Sequence, residues 1–273
     1  MGLFGYNFNK PGPGISKDQP KLKPFPLFFS ILFRKFSELV KLNLLFCIPV
    51  LISLVIIYLL KYITNIPFIL FSPIILISPF VAGLAFVTRN YVREEHAFIF
   101  SDFMDAVKQN FKAFLINGVI CYFGYIIFSV AISYYLAECK NNSLFYFLFA
   151  VCIFVLIIFV FAQYYVPVSI VTFDLNLKQI YKNSLIFSII GLWRNLLITF
   201  ILLIVFGGLY ILLYMVPVSL FFIVLFVFLF LFSFCMFLIN FIVYPLIDKS
   251  MIQPFQKDRE DDVNDNDTGE NND

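Results

Sequence analysis

Charged residues are scarce in this chain. Only 13% of its 273 residues are Asp, Glu, Lys or Arg, whereas a soluble domain carries about 25%. So little charge cannot cover a water-facing surface, and 62% of the residues are hydrophobic. The composition excludes an ordinary soluble enzyme and predicts a protein whose main partner is the lipid bilayer.

The residues that build catalytic, metal and redox centres are equally scarce. The chain has a single histidine, His96, and five scattered cysteines, although a metal centre needs several such ligands together. It also lacks the P-loop, dinucleotide-binding and nucleophile-elbow patterns. We therefore expect no enzyme activity, no catalytic residues, no metal, no cofactor and no nucleic-acid partner.

Long apolar runs are what the sequence does contain. A membrane-spanning helix needs about 20 residues, and the longest run, 196–247, has 52 residues without a charge. One helix of that length would exceed the bilayer, so the helix breaker Pro217 must divide it into two spans. The predicted fold is an all-α integral membrane protein of about six transmembrane helices with interfacial amphipathic helices. The predicted spans are 42–60, 66–87, 114–137, 144–168, 196–216 and 218–247.

The basic residues predict the orientation. Seventeen of the 19 lysines and arginines fall on one side of these spans, with Lys61 and Lys140 on the other. Basic residues stay on the cytoplasmic side, so we expect both termini and the interfacial helices there. We divide the chain into an irregular cytoplasmic arm (1–26), a six-helix domain (27–250) and a disordered acidic tail (251–273).

Two amphipathic patterns remain open to interpretation. Residues 27–41 are either an interfacial helix or the cytosolic end of the first span. Residues 108–112 and 178–182 share the pattern Lys-Gln-x-aromatic-Lys in two predicted cytoplasmic helices. The similarity indicates either an internal repeat or two interfacial helices that converged.

No charged residue lies inside the predicted spans, which argues against a proton-coupled carrier. Polar amides do occur there, at Asn43, Asn117, Gln163 and Asn240. We expect them to hydrogen-bond between helices, although a polar path is the alternative.

Three prolines interrupt the second span, at Pro67, Pro73 and Pro79. Each removes a backbone donor and distorts the helix, and adjacent serine hydroxyls or neighbouring helices can serve the freed carbonyls. Broken helices mark some transport sites, but ordinary proline kinks explain the pattern as well.

The most polar internal loop is the candidate interaction surface. Its alternating charges are suited to docking a partner, or they simply solvate a loop that anchors an interfacial helix. The candidate residues are Arg89, Arg93, Glu94, Glu95, His96, Asp102, Asp105, Lys108, Gln109 and Asn110.

Several segments resemble the YesL-like family of multi-pass bacterial membrane proteins, which has no assigned biochemical activity. They are Met1–Gly5, Lys10–Gly14, Leu42–Leu45, Arg89–Phe98, Ser101–Phe103 and Lys108–Phe111. The resemblance implies a bacterial plasma-membrane protein and, because members are often encoded beside sugar-uptake transporters, an accessory or regulatory role in carbohydrate use.

The sequence thus supports two hypotheses of different classes. The first is a non-enzymatic protein that acts through its cytoplasmic face, with a membrane transport system for sugars as a candidate partner. The alternative is a small-solute, sugar-related transporter or channel, which the proline-interrupted second span and the possible repeat favour. The sequence does not indicate an oligomeric state.

Overall fold

The computed structural model describes residues 23–63, 69, 71–216 and 219–254. Within these ranges the chain is helical and contains no β-strand. Its α-helices are α1 Pro24–Arg34, α2 Phe36–Ile63, α3 Pro73–Val92, α4 Ile99–Glu138, α5 Leu144–Ile170, α6 Leu177–Ile190, α7 Leu192–Met215, α8 Ser219–Phe226 and α9 Phe232–Ile247.

Six helices are long and apolar enough to cross a membrane, which confirms the predicted fold class. They are Phe36–Lys61, Pro73–Val92, Ile99–Glu138, Leu144–Ile170, Leu192–Met215 and Leu220–Ile252. The last combines α8, a π-helical turn Val227–Leu231, α9 and a second π-helical turn Asp248–Ile252. The division near Pro217 also agrees with the prediction, since α7 ends at Met215 and α8 begins at Ser219.

Each of the two predicted alternatives for the amphipathic segment 27–41 holds for part of it. A turn at Lys35 separates α1 from α2, so residues 24–34 form a helix of their own and residues 36–41 begin the first span. Ile31 and Leu32 of α1 are buried, while Phe25 and Phe33 are exposed. Helix α1 begins at Pro24, inside the predicted arm, and residues 1–22 lie outside the described residues.

The first of the two predicted cytoplasmic helices is not separate from the membrane-spanning helix that follows it. Residues 108–112 lie within α4, which continues through 40 residues, or about 60 Å. Residues 178–182 instead lie on α6, which ends at Gly191 before α7 begins. The two segments of the suspected repeat therefore occupy different structural settings.

Helix α3 lies at the centre of the bundle. Its buried residues pack against α2, α4, α5 and α9. Close packing against α4 depends on Gly83, where an added Cβ would lie 2.2 Å from the Phe103 ring. Helix α7 is peripheral by contrast, and only its Asn195 and Ile198 are buried.

Candidate functional site

Several charged residues lie together at one end of the bundle, where they contact the ends of neighbouring helices. Arg34, just before α2, pairs with Glu94 after α3, and Arg93 lies over the ring of Tyr244 near the end of α9. Arg89 of α3 reaches Val171 at the end of α5. We call this the charged end; the candidate interaction surface lies on it.

Seven of the ten candidate residues are exposed on the turn after α3 or on the first turns of α4. Three are not: Arg89 is buried, and Asp102 and Asn110 are half-buried. The exposed residues are Arg93, Glu94, Glu95, His96, Asp105, Lys108 and Gln109.

Arg89 corrects the sequence prediction, because it is part of a helix and is only 7% exposed. Its Nη1 donates to the carbonyl of Val171 and to Oγ1 of Thr172, 3.3 Å away. Its Nη2 donates to Oδ1 of Asn90 at 3.0 Å. The last carbonyls of a helix lack partners within the helix and favour a cation. Arg89 therefore joins α3 to the end of α5 and is not available to a docking partner.

The turn after α3 has a fixed backbone shape. The N–H of Glu95 donates to Asn90 O at 2.9 Å, and that of Glu94 donates to Tyr91 O at 3.0 Å. These two bonds form a Schellman motif, which needs a left-handed residue and usually has glycine there. This chain has Glu94, with φ of 58°. A non-glycine residue in this conformation carries backbone strain, and such strain often occurs at functional positions.

Side-chain contacts tie this turn to its surroundings. The Glu94 carboxylate accepts from Arg34 at 2.5 Å, with both side chains about half exposed. Arg93 pairs with Glu95 at 2.7 Å and lies 5.8 Å from the centre of the Tyr244 ring. The turn thus presents its charges from a fixed position between α1 and α9.

Asp102 and Asn110 have local structural roles. The Asp102 carboxylate accepts the backbone N–H of Phe98 at 2.8 Å and so caps the start of α4. Asn110 donates to the carbonyl of Ala106 on its own helix at 3.0 Å. Because α4 is about twice as long as the hydrocarbon is thick, the helix has length to spare for its polar first turns outside the apolar layer.

The proline-interrupted region has a different arrangement from the one predicted. Pro73 occupies the first turn of α3, where a missing N–H costs little, and the Ser72 hydroxyl donates to Ile69 O at 2.6 Å. Pro79 lies inside α3, but the Ser78 hydroxyl donates to Phe114 of α4 instead of its own helix. Pro67 lies outside the described residues.

A cavity of about 400 Å³ lies beside Pro73, between α2, α3, α4 and α9. Its lining is mostly apolar, and its polar members are Ser78, Asn117 and Cys121. Such a lining suits a hydrocarbon group better than a sugar, whose many hydroxyls each need a partner.

The sequence predicted links between helices for four amides, and three of them form such links. Asn240 of α9 donates to Thr88 of α3 at 2.9 Å. Asn117 of α4 accepts from the hydroxyl of Tyr181 on α6. Burial raises the pKa of Tyr181 to about 12, so the phenol keeps its proton and remains a donor.

Asn43 makes the most extensive of these links. Its Nδ2 donates to the carbonyls of Val227 and Phe228, at 2.9 and 2.6 Å, and its Oδ1 accepts the N–H of Ser233. The sequence analysis identified this amide but not the π-helical turn to which it donates, because no residue pattern predicts a π-turn. Gln163 differs, since its Nε2 is buried without an acceptor among the described residues.

Within the described ranges, no group of three or more His, Cys, Asp or Glu side chains is placed to hold a metal ion. His96 lies beside the ring of Phe98, with 4.8 Å between ring centres. The exposed groups of the charged end are ionic and hydrogen-bonding side chains.

One comparison with known proteins gives a match. Residues 39–132 match the model of a family described as "Protein of unknown function, DUF624". The matched segment runs from α2 into α4 and contains Asn43, Arg89 and the whole turn after α3. No curated protein and no solved structure matches the chain. The protein is thus a multi-pass, membrane-type helical protein with similarity to a family of unknown function.

Proposed function

We propose that this protein is a non-enzymatic accessory or regulatory component of carbohydrate uptake in a bacterial plasma membrane. It acts through its charged end, which faces the cytoplasm together with both termini. The family match is consistent with the YesL-like resemblance, and the asymmetry of basic residues supports the orientation.

The observation that carries the proposal is the turn 93–98. Four charged or polar side chains, Arg93, Glu94, Glu95 and His96, are exposed there, on a backbone fixed by a Schellman motif with a strained Glu94. A loop that merely needs solvation has no need of a left-handed glutamate, since glycine or asparagine adopts that conformation with less strain. A rigid charged turn supports recognition of a partner because little conformational freedom is lost on binding.

Site-specific photo-crosslinking in cells tests this proposal. A photoreactive residue replaces His96 in one strain and Lys108 in another, because both side chains are exposed on the candidate surface. The control position is Lys140, exposed in the turn between α4 and α5. We expect a subunit of a sugar-uptake system to be crosslinked from positions 96 and 108 and not from 140.

Two results would contradict the proposal. One is the same set of crosslinked proteins from position 140 as from position 96. The other is a deletion strain that takes up every tested sugar at the rate of its parent.

The cavity beside Pro73 and Ser78 favours a second candidate function, the transport of a small solute. It lies between four spans of the bundle, as a transport site would. Proteoliposomes containing only this protein would then show flux of a labelled solute above that of empty liposomes. Absence of flux for sugars and for small apolar solutes would eliminate this candidate and leave the first intact.

A further inference from the structure

Asn117 borders the cavity beside Pro73 and keeps an unused hydrogen-bond donor there. The side chain is only 6% exposed, and its Oδ1 accepts from the hydroxyl of Tyr181. Its Nδ2 donates to no residue in the described part of the chain, yet it is not enclosed by protein atoms as Nε2 of Gln163 is. Because Asn117 lines the cavity, a molecule in the cavity can accept a hydrogen bond from this donor.

The other polar side chains among the described residues that line the cavity compete little with Asn117. The Ser78 hydroxyl already donates its proton to the carbonyl of Phe114. Cys121 lies one turn after Asn117 on α4, and its thiol is a weak donor and a weak acceptor. The cavity therefore offers one strong donor, Nδ2 of Asn117, on a wall that is otherwise mostly apolar.

The size and the position of the cavity limit what can enter it. An apolar cavity of about 150 Å³ holds one benzene molecule, so a volume of about 400 Å³ has room for roughly 16 non-hydrogen atoms at the same packing. Ser78 precedes Arg89 by 11 residues on α3, or about 16 Å along the helix, which is about half the thickness of the hydrocarbon. The cavity thus lies far from the charged end, and its occupant comes from the hydrocarbon layer.

A molecule with one acceptor and no donor suits this lining. The carbonyl of a ketone or an ester accepts from Asn117 and leaves no polar group of the molecule unpaired. A sugar brings many hydroxyl donors, and each would need an acceptor on a mostly apolar wall. Water fits less well, because a buried water typically makes about three hydrogen bonds.

We propose that this cavity binds a small, mostly hydrocarbon molecule with one carbonyl group, to which Nδ2 of Asn117 donates. The rings of Phe46, Phe114 and Phe232 provide apolar contacts for the rest of the molecule. The proposal rests on the cavity alone. It holds whether or not the charged end docks a partner, and it does not require transport.

Benzophenone is a direct probe of this site, because it is a small aromatic ketone that inserts into nearby C–H bonds when it is illuminated. Full-length protein in lipid bilayers is illuminated with benzophenone, and mass spectrometry identifies the crosslinked residues. We expect crosslinks in 73–81 of α3 and 114–121 of α4, the segments that contribute most of the lining.

Two competitors that do not react with light measure the contribution of the hydrogen bond. Dicyclohexyl ketone and dicyclohexylmethane have the same skeleton, and only the first has a carbonyl. Each is added at the same mole fraction in the bilayer, which removes the difference in their partition from water. The ketone should suppress crosslinking about five times more effectively, the ratio expected for one neutral hydrogen bond.

Two variants distinguish the donor from the link that Asn117 makes to α6. Asn117→Leu removes Nδ2 together with the bond to Tyr181, so the preference for the ketone should fall to about onefold. Tyr181→Phe is the matched control, because it removes the same bond and keeps the donor. It should leave the preference for the ketone in place.

Three results would overturn the proposal. The first is crosslinking of the unaltered protein only at residues outside the cavity, such as the exposed face of α7. The second is equal suppression by the two competitors, and neither of these measurements depends on a variant folding. The third is a preference for the ketone that persists in Asn117→Leu. Each leaves the proposed accessory role intact, since none involves the charged end.

Discussion

The backbone N–H of Ser233 donates to Oδ1 of Asn43 across the bundle, with 2.9 Å between the two atoms. Asn43 lies on α2 and is completely buried, and its Nδ2 donates to two carbonyls of the π-helical turn before Ser233. The Asn43 amide therefore pairs with two carbonyls and one N–H of the last span, at the point where its backbone hydrogen bonding changes from the π-helical to the α-helical pattern. In a membrane no water is present to do this.

We predict that Asn43→Leu destabilises the protein by about 1–3 kcal/mol, the cost of leaving buried polar groups unpaired. Leucine has a similar size, so the change removes the hydrogen bonds without leaving a large hole. Thermal unfolding in detergent, followed by size-exclusion chromatography of the remaining monodisperse protein, measures the effect. Leu44→Ala is the control, since Leu44 is about half exposed on the same helix. Equal stability of the two variants would show that Asn43 is dispensable.

The packing of α3 against α4 gives a second prediction, for Gly83→Ala. The new Cβ would lie 2.2 Å from the ring of Phe103, which is itself fully buried. Because the ring has no free space to move into, we expect a loss of about 1–3 kcal/mol. Gly207→Ala in α7 is the matched control, because nothing lies within 4 Å of its added Cβ. The same thermal assay should show Gly207→Ala unchanged or slightly more stable; similar melting of both variants would contradict the packing argument.

Arg89 should behave as a structural residue. Arg89→Gln removes the donor to Val171 O and should lower stability by about 2 kcal/mol, because the carbonyl and the remaining polar groups are buried. Arg93→Gln should cost less than about 1 kcal/mol, since its ion pair with Glu95 is partly exposed. Chemical unfolding of both variants in mild detergent compares them. An equal or larger effect at Arg93 would reverse this assignment.

The variant Glu94→Gly distinguishes the backbone strain at this position from a role of the Glu94 carboxylate in binding a partner. Glycine relieves the left-handed backbone, by about 1 kcal/mol, and the lost pair with Arg34 is too exposed to cost as much. We therefore expect equal or slightly higher thermal stability. If the turn docks a partner through this carboxylate, crosslinking from position 96 should fall about fivefold, as for the loss of one contact of about 1 kcal/mol. Unchanged crosslinking would mean that Glu94 only solvates the turn.

The sequence alone determined the fold class and the number of spans. Apolar runs of about 20 residues have one stable solution in hydrocarbon, because a helix satisfies its own backbone hydrogen bonds. The division of 196–247 near Pro217 followed from length in the same way, and the structure agrees. The amides that link helices were also recognisable, since an amide in a lipid layer must find a partner.

Only the tertiary structure decided how the polar residues are used. The neighbours of Arg89 in the sequence predicted a charged loop there. In the structure the end of α5 lies against Arg89, which donates a hydrogen bond to the carbonyl of Val171. The left-handed Glu94 and the π-turn served by Asn43 likewise cannot be predicted from hydropathy. Hydropathy depends on each residue's own chemistry, whereas a polar group's role depends on which distant backbone atoms packing brings within about 3 Å of it.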